Sequence, residues 1–411
     1  MASVAIIGAG ITGITTAYAL LKRGIDVTVF ERHRYPAMET SFANGGQLSA
    51  SNAEVWNRPA TILHGLQWMF RRNAPLLFNP KPSWHKYSWI AEFIAQVRNY
   101  EKNTMETVRL ALEARQHLFK WAEAEQIKFD LETRGILHLY RTKAEFEAAR
   151  TSNELLKRAG LERHPVNPRE MKLIEPAVTG SFHGGFFTPG DATGDIHKFT
   201  RGLAAANVRM GGKVSFNTAV ESVTARPDRV EITFRDEAQP GGHCESEVSV
   251  FDAVMICAGV ESRSLAWTLG DRLNIYPVKG YSITVFLDSQ ESSNAAPKVS
   301  LLDDHRKIVT SRLGDRFRVA GTAEFNGFNR DIRADRIDPL VQWTREHFPN
   351  VQTDRVVPWS GLRPMTPSML PRVGRGKRDR VFYNTGHGHL GWTLSAATAE
   401  LIAEEVAVRY S

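Results

Sequence analysis

The spacing of apolar positions changes along the chain, and each change predicts a different element. Val4-Ala5-Ile6-Ile7 is a short apolar run, residues 14–23 have helical composition, and Asp26-Val27-Thr28-Val29-Phe30 alternates toward a second strand. Strand, helix and strand within about 30 residues predict parallel pairing and a doubly wound sheet. Residues 38–100 read as irregular and aromatic-rich. Residues 104–126 and 143–160 read as long amphipathic helices with a strand at 135–140 between them. A helix over 195–210 precedes alternating runs at 214–216, 219–224 and 229–234 and a turn at Pro240-Gly241-Gly242. Ala253-Val254-Met255-Ile256-Cys257 is apolar throughout, as a strand buried on both faces of a parallel sheet is. Segments 281–287, 307–312 and 317–321 alternate as antiparallel strands do, and 335–348 returns to helix. Residues 380–385, 386–391 and 393–408 then repeat the N-terminal order of strand, glycine loop and helix.

Composition narrows the classes. With 411 residues, 42% apolar and 24% charged, the chain is long enough for two to three domains and excludes disorder and collagen-like repeats. Two cysteines, Cys244 and Cys257, support neither a disulfide framework nor a four-ligand zinc site. The net charge of +7 favours anionic ligands, but no dense basic run points to nucleic acid. Arg71-Arg72 and the cluster Arg372, Arg375, Lys377, Arg378 and Arg380 read as solvated loops. The uncharged stretch 3–21 is too rich in glycine and threonine for a membrane span and lacks the charged flank of a signal peptide, so cytoplasmic placement is expected.

Gly8-Ala9-Gly10-Ile11-Thr12-Gly13 follows a strand and opens a helix, and Glu31 ends the next strand 18 residues beyond Gly13. Gly8 makes the turn, Gly10 admits a pyrophosphate, Gly13 lets helix touch strand, and Glu31 accepts from a ribose hydroxyl. A dinucleotide is expected; Arg32 and Arg34 leave NAD, NADP and FAD all open. The C-terminal loop Gly386-His387-Gly388-His389-Leu390-Gly391 also opens a helix. If that second helix end faces the same crevice, its partial positive charge favours the anionic edge of a reduced isoalloxazine. Nicotinamide needs no such device, so FAD is the expected cofactor. Ser41-Phe42-Ala43-Asn44-Gly45-Gly46-Gln47 is polar and glycine-bearing, suited to lying along a planar ring. His387 and His389 have no third ligand at a recognisable spacing, so no metal is expected.

Together with Gly8–Gly13, the blocks Thr40–Ser49, Trp68–Pro75, Tyr276–Ser282, Trp359–Pro367 and Asn384–Thr393 resemble the D-amino acid dehydrogenase small subunit family, itself similar to D-amino acid oxidases and glycine oxidases. The resemblance implies an α/β fold. It has a discontinuous Rossmann-like FAD-binding domain over 1–80, 190–270 and 355–411, and an inserted substrate domain over 81–189 and 271–354 on a mixed, antiparallel sheet. It also implies that Gly8, Gly10, Gly13 and Glu31 hold the adenosine diphosphate part of FAD and that Thr40, Ser41, Asn44, Gly45 and Gln47 contact riboflavin. Val220 then lies near adenine, Gly259 follows a matching strand, and Gly388, Leu390, Gly391 and Thr393 sit by the pyrimidine edge. The chain departs from many relatives in ending soon after its last helix and in carrying Ser368-Met369-Leu370 in place of a more polar stretch.

Arg363 is the candidate for the substrate carboxylate, because a guanidinium matches that plane bidentately where lysine does not. Tyr281 is a second carboxylate donor or else an interior sheet tyrosine, and His387 lines the pocket. The implied reaction is hydride transfer from Cα of an amino acid to flavin N5, with hydrolysis of the imine to a 2-oxo acid and ammonia. D chirality rests on the resemblance alone, and cyclic substrates of the D-proline type stay open. So do an NADP-dependent dehydrogenase and a non-catalytic FAD-holding subunit. Trp68-Met69-Phe70 beside Arg71-Arg72 reads either as core or as an interfacial anchor. The resemblance includes quinone-linked enzymes at the inner membrane, which leaves quinone or dioxygen as oxidant and peripheral membrane association as an expectation.

Overall fold

An all-apolar strand has no face to offer water, and Ser3–Ile7 accordingly lies inside a six-stranded sheet. Its order is Arg372–Arg375, Val381–Thr385, Ala253–Ile256, Ser3–Ile7, Asp26–Phe30, Lys213–Ser215, parallel except for the first pair. The computed structural model describes residues 2–68, 75–237 and 245–410. Met69-Phe70-Arg71-Arg72 of the expected anchor, the turn at Pro240-Gly241-Gly242 and Cys244 lie outside the described residues.

Alternation divides the sheet between two cores. Val4, Ile6, Val27, Val29 and Met255 pack under the helices Ile11–Leu21, Tyr100–Ala124, Ile196–Arg209 and Gly391–Tyr410. Ala5, Ile7, Phe30, Val254 and Ile256 face the opposite way. There they meet a three-stranded antiparallel meander, Thr218–Ala225, Val230–Asp236 and Glu247–Phe251.

A nine-stranded mixed sheet is built around Tyr276–Phe286, which pairs antiparallel with Val356–Met365 on one side and Arg316–Phe325 on the other. Ile308–Leu313, Ser300–Asp303, Ile136–Tyr140, Gly184–Thr188 and His164–Val166 extend it. One face, through Tyr281, Ile283, Val285, Phe317 and Val319, buries Leu340 and Trp343 of the helix Ala334–His347. The other face turns toward the six-stranded sheet.

Three expectations need correction. Residues 38–100 are not simply irregular: they hold the helices Pro59–Trp68 and Trp84–Ala95 and the strand Leu76–Phe78. That strand pairs with Arg316–Phe325 of the large sheet, although the dinucleotide domain is expected to run over 1–80. Val356–Met365, expected there too, joins the large sheet through ten paired residues. In both cases a free backbone edge decides membership, and edge pairing is not written in local composition. Among the described residues, no helix is long and apolar enough to cross a membrane.

Candidate active site

Three glycine-bearing turns converge on one cavity of about 950 Å³, near the upper end of the roughly 300–1,000 Å³ usual for ligand sites. In the first, Gly8 has φ +102°, and a Cβ there would stand 2.8 Å from the Cys257 carbonyl oxygen. A Cβ at Gly13 would stand 1.9 Å from the Gly8 carbonyl oxygen, so helix and strand touch only because this residue is glycine. The helix that follows has no acidic residue in its first turn, which leaves its positive end available to an anion. Buried Glu31 fixes this turn, accepting from the Ala9 N–H at 2.7 Å and the His33 N–H at 2.9 Å while lining the cavity.

The second turn, Thr40–Gln47, is pinned to the open face of the large sheet. The carbonyls of Ala43, Asn44 and Gly45 accept from Ser282 Oγ (2.7 Å), Arg318 Nη1 (3.1 Å) and Ser311 Oγ (2.6 Å). Ser41 Oγ accepts from the Ile11 N–H at 3.1 Å, joining this turn to the first. The Thr40 hydroxyl donates to the Leu362 carbonyl and the Gln47 amide to Ser300 Oγ, so both side chains are engaged in holding the loop while their residues line the cavity. Asn44 Oδ1 is taken by the Gly46 N–H.

In the third turn, Gly388–Leu390 forms one 3-10 turn before the helix Gly391–Tyr410, whose first turn also lacks an acid. Gly388 has φ +60°, and a Cβ there would meet Met365 Sδ at 2.8 Å. The backbone bridge between Met365 and His387 sets this loop against the end of Val356–Met365. Thr393 Oγ1 accepts from the Ser49 N–H at 3.4 Å. Gly10, Val220, Gly259, Gly388, Leu390, Gly391 and Thr393 all line the same cavity, Val220 at a bulge of the meander and Gly259 at φ +56° just past Ala253–Ile256. Two Cβ-excluding turns, two helix ends without acids and this volume fit a dinucleotide such as FAD.

Arg363 lies on Val356–Met365 opposite Val278, and its guanidinium crosses Gly280, where a Cβ would be 2.2 Å from Nη2. Nη1 donates to the Thr322 carbonyl at 3.1 Å. Among the described residues no carboxylate pairs with it, and burial alone lowers its pKa to about 10, leaving it charged at neutral pH. An uncompensated cation on a cavity wall is suited to binding an anion.

Beside it, Arg316–Phe325 bulges between its pairings Tyr281↔Gly321 and Lys279↔Glu324. Thr322 sits in that bulge at φ +60°, a conformation that costs a β-branched residue on the order of 1–3 kcal/mol. Among the described residues its buried hydroxyl has no hydrogen-bond partner.

Tyr281 does not join Arg363. Its ring packs on the opposite face of the sheet with Ile283 and Trp343, and its hydroxyl donates to Glu324, which also pairs with Lys279 at 3.2 Å. Burial, and then Glu324, push the phenol far above its usual range. Of the two readings left open, the interior sheet tyrosine is the one observed. His387 lines the cavity as expected, but its ring is engaged: Nε2 bonds Thr398 Oγ1 at 2.9 Å inside the last helix, and burial lowers its pKa to about 3.

His389 is the histidine whose ring reaches the wall. It stacks on Trp56 at 4.7 Å, and burial followed by the charge of Arg363 lowers its pKa to about 4. Trp89, Phe93, Phe78 and Phe325 line the cavity with it; Trp89 is 5.1 Å from Phe93 and 5.5 Å from Phe325. The sequence weighed His389 only as half of a metal pair, and neither Thr322 nor this aromatic wall carries a local signal. No group of three or more metal-ligating side chains is found among the described residues.

The model of the DAO family, described as FAD dependent oxidoreductase, matches residues 3–405. The chain is 57% identical over 408 residues to D-amino acid dehydrogenase 3 of Mesorhizobium japonicum, covering 99% of this chain and 97% of that one. It is 41% identical over 420 residues to the D-amino acid dehydrogenase of Paramagnetospirillum magneticum, covering 99% and 96%. In fold it is similar to the glycine oxidase of Geobacillus kaustophilus (TM-score 0.76, 20% identity, 100% and 95% covered). The L-proline dehydrogenase of P. horikoshii is similar too (TM-score 0.75, 15% identity, 98% and 93% covered).

Proposed function

Since the chain belongs to the DAO family of FAD-dependent oxidoreductases, we propose that its cavity seats FAD along the three turns and a D-amino acid with its carboxylate on Arg363. The enzyme catalyses FAD-dependent oxidative deamination of D-amino acids to 2-oxo acids and ammonia. Bound FAD supplies the acceptor for the hydride that leaves Cα.

The protein's own part is orientation and exclusion of water. Gly8, Gly10, Gly13 and Glu31 hold the adenosine diphosphate end, with Val220 and Gly259 alongside. Thr40, Ser41, Asn44, Gly45 and Gln47 shape the seat of the ring, and Gly388, Leu390, Gly391 and Thr393 bring the last helix end to it. Arg363 fixes the carboxylate and thereby the direction of the Cα–H bond. The amine enters neutral, so departure of the hydride leaves an iminium, which water hydrolyses to the 2-oxo acid and ammonium. Trp56, Trp89, Phe93 and Phe325 offer the side chain an aromatic wall, which favours large apolar amino acids over charged ones.

The observation that carries this reading is the half-buried guanidinium of Arg363, without an acid partner among the described residues and on the wall of the same cavity as the glycine turns. The test is anaerobic bleaching of the flavin by a panel of D- and L-amino acids in wild type and Arg363→Leu. Loss of D-amino acid affinity by about 30-fold or more is expected. Near-wild-type reduction in the variant refutes the role of Arg363.

A quinone as oxidant and a peripheral seat on the inner membrane are supported by one surface. Trp84 is 84% exposed, and Leu63, Tyr87 and Ile94 are exposed on the same two helices, Pro59–Trp68 and Trp84–Ala95, whose Ile62, Ile90 and Phe93 line the cavity. Trp84→Ala weakens sedimentation with anionic vesicles on this reading; unchanged sedimentation refutes it.

A further inference from the structure

Resting on the reading above, we propose that Thr322 is a second ligand of the substrate carboxylate, its hydroxyl donating to the anion that Arg363 holds. The bulge sets Thr322 opposite Gly280, across which the Arg363 guanidinium lies, and the Thr322 carbonyl accepts from Arg363 Nη1 at 3.1 Å. The residue lines the cavity, is only 9% exposed, and its hydroxyl has no partner among the described residues.

Both halves of this arrangement are unfavourable in the absence of a ligand. A β-branched residue at φ +60° is an outlier that glycine would relieve, and a hydroxyl with no protein partner among the described residues leaves its hydrogen-bond donor unused. Strain of this kind gathers where a site needs a group held in place. A carboxylate has about four lone-pair directions, and a bidentate guanidinium fills two, leaving room for one O–H donor from the side. Tyr281, which the sequence offered for this position, is engaged with Glu324 behind the sheet.

The test compares Thr322→Val, which keeps the branching and removes the donor, with Thr322→Ser, which keeps the donor. Both are made in the FAD-loaded enzyme, with flavin content verified. Two quantities are read: KM and kcat for a D-amino acid, and the dissociation constant of 3-phenylpropionate, which has the carboxylate but no amine, followed by the flavin spectrum. Thr322→Val raises KM and the dissociation constant by roughly ten- to a hundredfold, with a smaller change in kcat, and Thr322→Ser stays within about threefold of wild type. If Thr322→Val binds the carboxylate within about twofold of wild type, or if Thr322→Ser loses as much as Thr322→Val, the proposal is overturned. Failure of every D-amino acid to reduce the wild-type flavin would instead sink the activity reading, and the carboxylate titration would still decide the role of Thr322.

Discussion

Placing one methyl group at Gly280 tests the geometry of the site without altering any charged or catalytic atom. In Gly280→Ala the new Cβ would stand 2.2 Å from Nη2, 2.3 Å from Cζ and 2.5 Å from Nη1 of Arg363, whereas ordinary contact begins near 3.4 Å. Gly280 is in a regular strand without positive φ, so alanine strains no backbone there, and what must yield is the far end of a flexible side chain. The fold is expected to survive while the guanidinium retreats by about 1 Å. A misplacement of that size in a positioning group costs about 10²-fold, or about 2.7 kcal/mol of transition-state stabilisation. The assay is kcat/KM for a D-amino acid with an artificial electron acceptor, alongside flavin content and thermal unfolding. A variant that binds FAD, unfolds like wild type and retains kcat/KM within threefold would refute the claim that Arg363 lies across Gly280 to meet its ligand.

Three further outcomes follow from the same structure. Gly13→Ala, whose Cβ meets backbone and not a movable side chain, forces the first helix off its strand at a cost of about 1–3 kcal/mol or more; it is expected to purify with little FAD, and full flavin content would contradict the turn geometry. Phe325→Ala removes part of the aromatic wall and is expected to lower kcat/KM for D-phenylalanine about tenfold more than for D-alanine; equal losses would mean that the side chain lies elsewhere. His389 has its pKa lowered from 6.5 to about 4, so the unfolded chain binds the extra proton in that window. Its stabilising effect is complete above pH 6.5 and is lost as pH falls toward 4. His389→Phe, which keeps a ring on Trp56, is expected to flatten the fall in unfolding midpoint over that range, and an unchanged slope would refute the shift.

Much of the dinucleotide side was legible because its signals are local. Glycine spacing, a fully apolar strand and an alanine-rich last helix each state their own conformation, and the parallel partner of Ser3–Ile7 was recognisable in Ala253–Ile256 from its lack of polar positions. The substrate side was harder because its features are relations between strands. The alternation of Arg316–Phe325 was followed only as far as Gly321, because the bulge adds a residue and breaks the period just where Thr322 begins. Trp359-Ser360-Gly361-Leu362-Arg363-Pro364 reads poorly as strand, since glycine and proline weaken it, and the neighbour Tyr276–Phe286 supplies the pairing. Tyr281 was offered to the right sheet but not to a face; on a pleated strand the choice between Gly280 and Tyr281 depends on one residue of register. His387 and His389 show the same limit at a helix start, where two residues of separation send one ring into the helix and the other to the wall.

The Arg363 guanidinium at the wall also bears on departure. Deamination changes the carbon that bore nitrogen and leaves the adjoining carboxylate untouched, so on the role proposed for Arg363 the outgoing 2-oxo acid meets the same guanidinium as the incoming amino acid. With no resident anion among the described residues to take its place on Arg363, egress is left to water or to the next incoming molecule. On that role the 2-oxo acid competes with the amino acid for Arg363, and added product is expected to raise the apparent KM without lowering kcat.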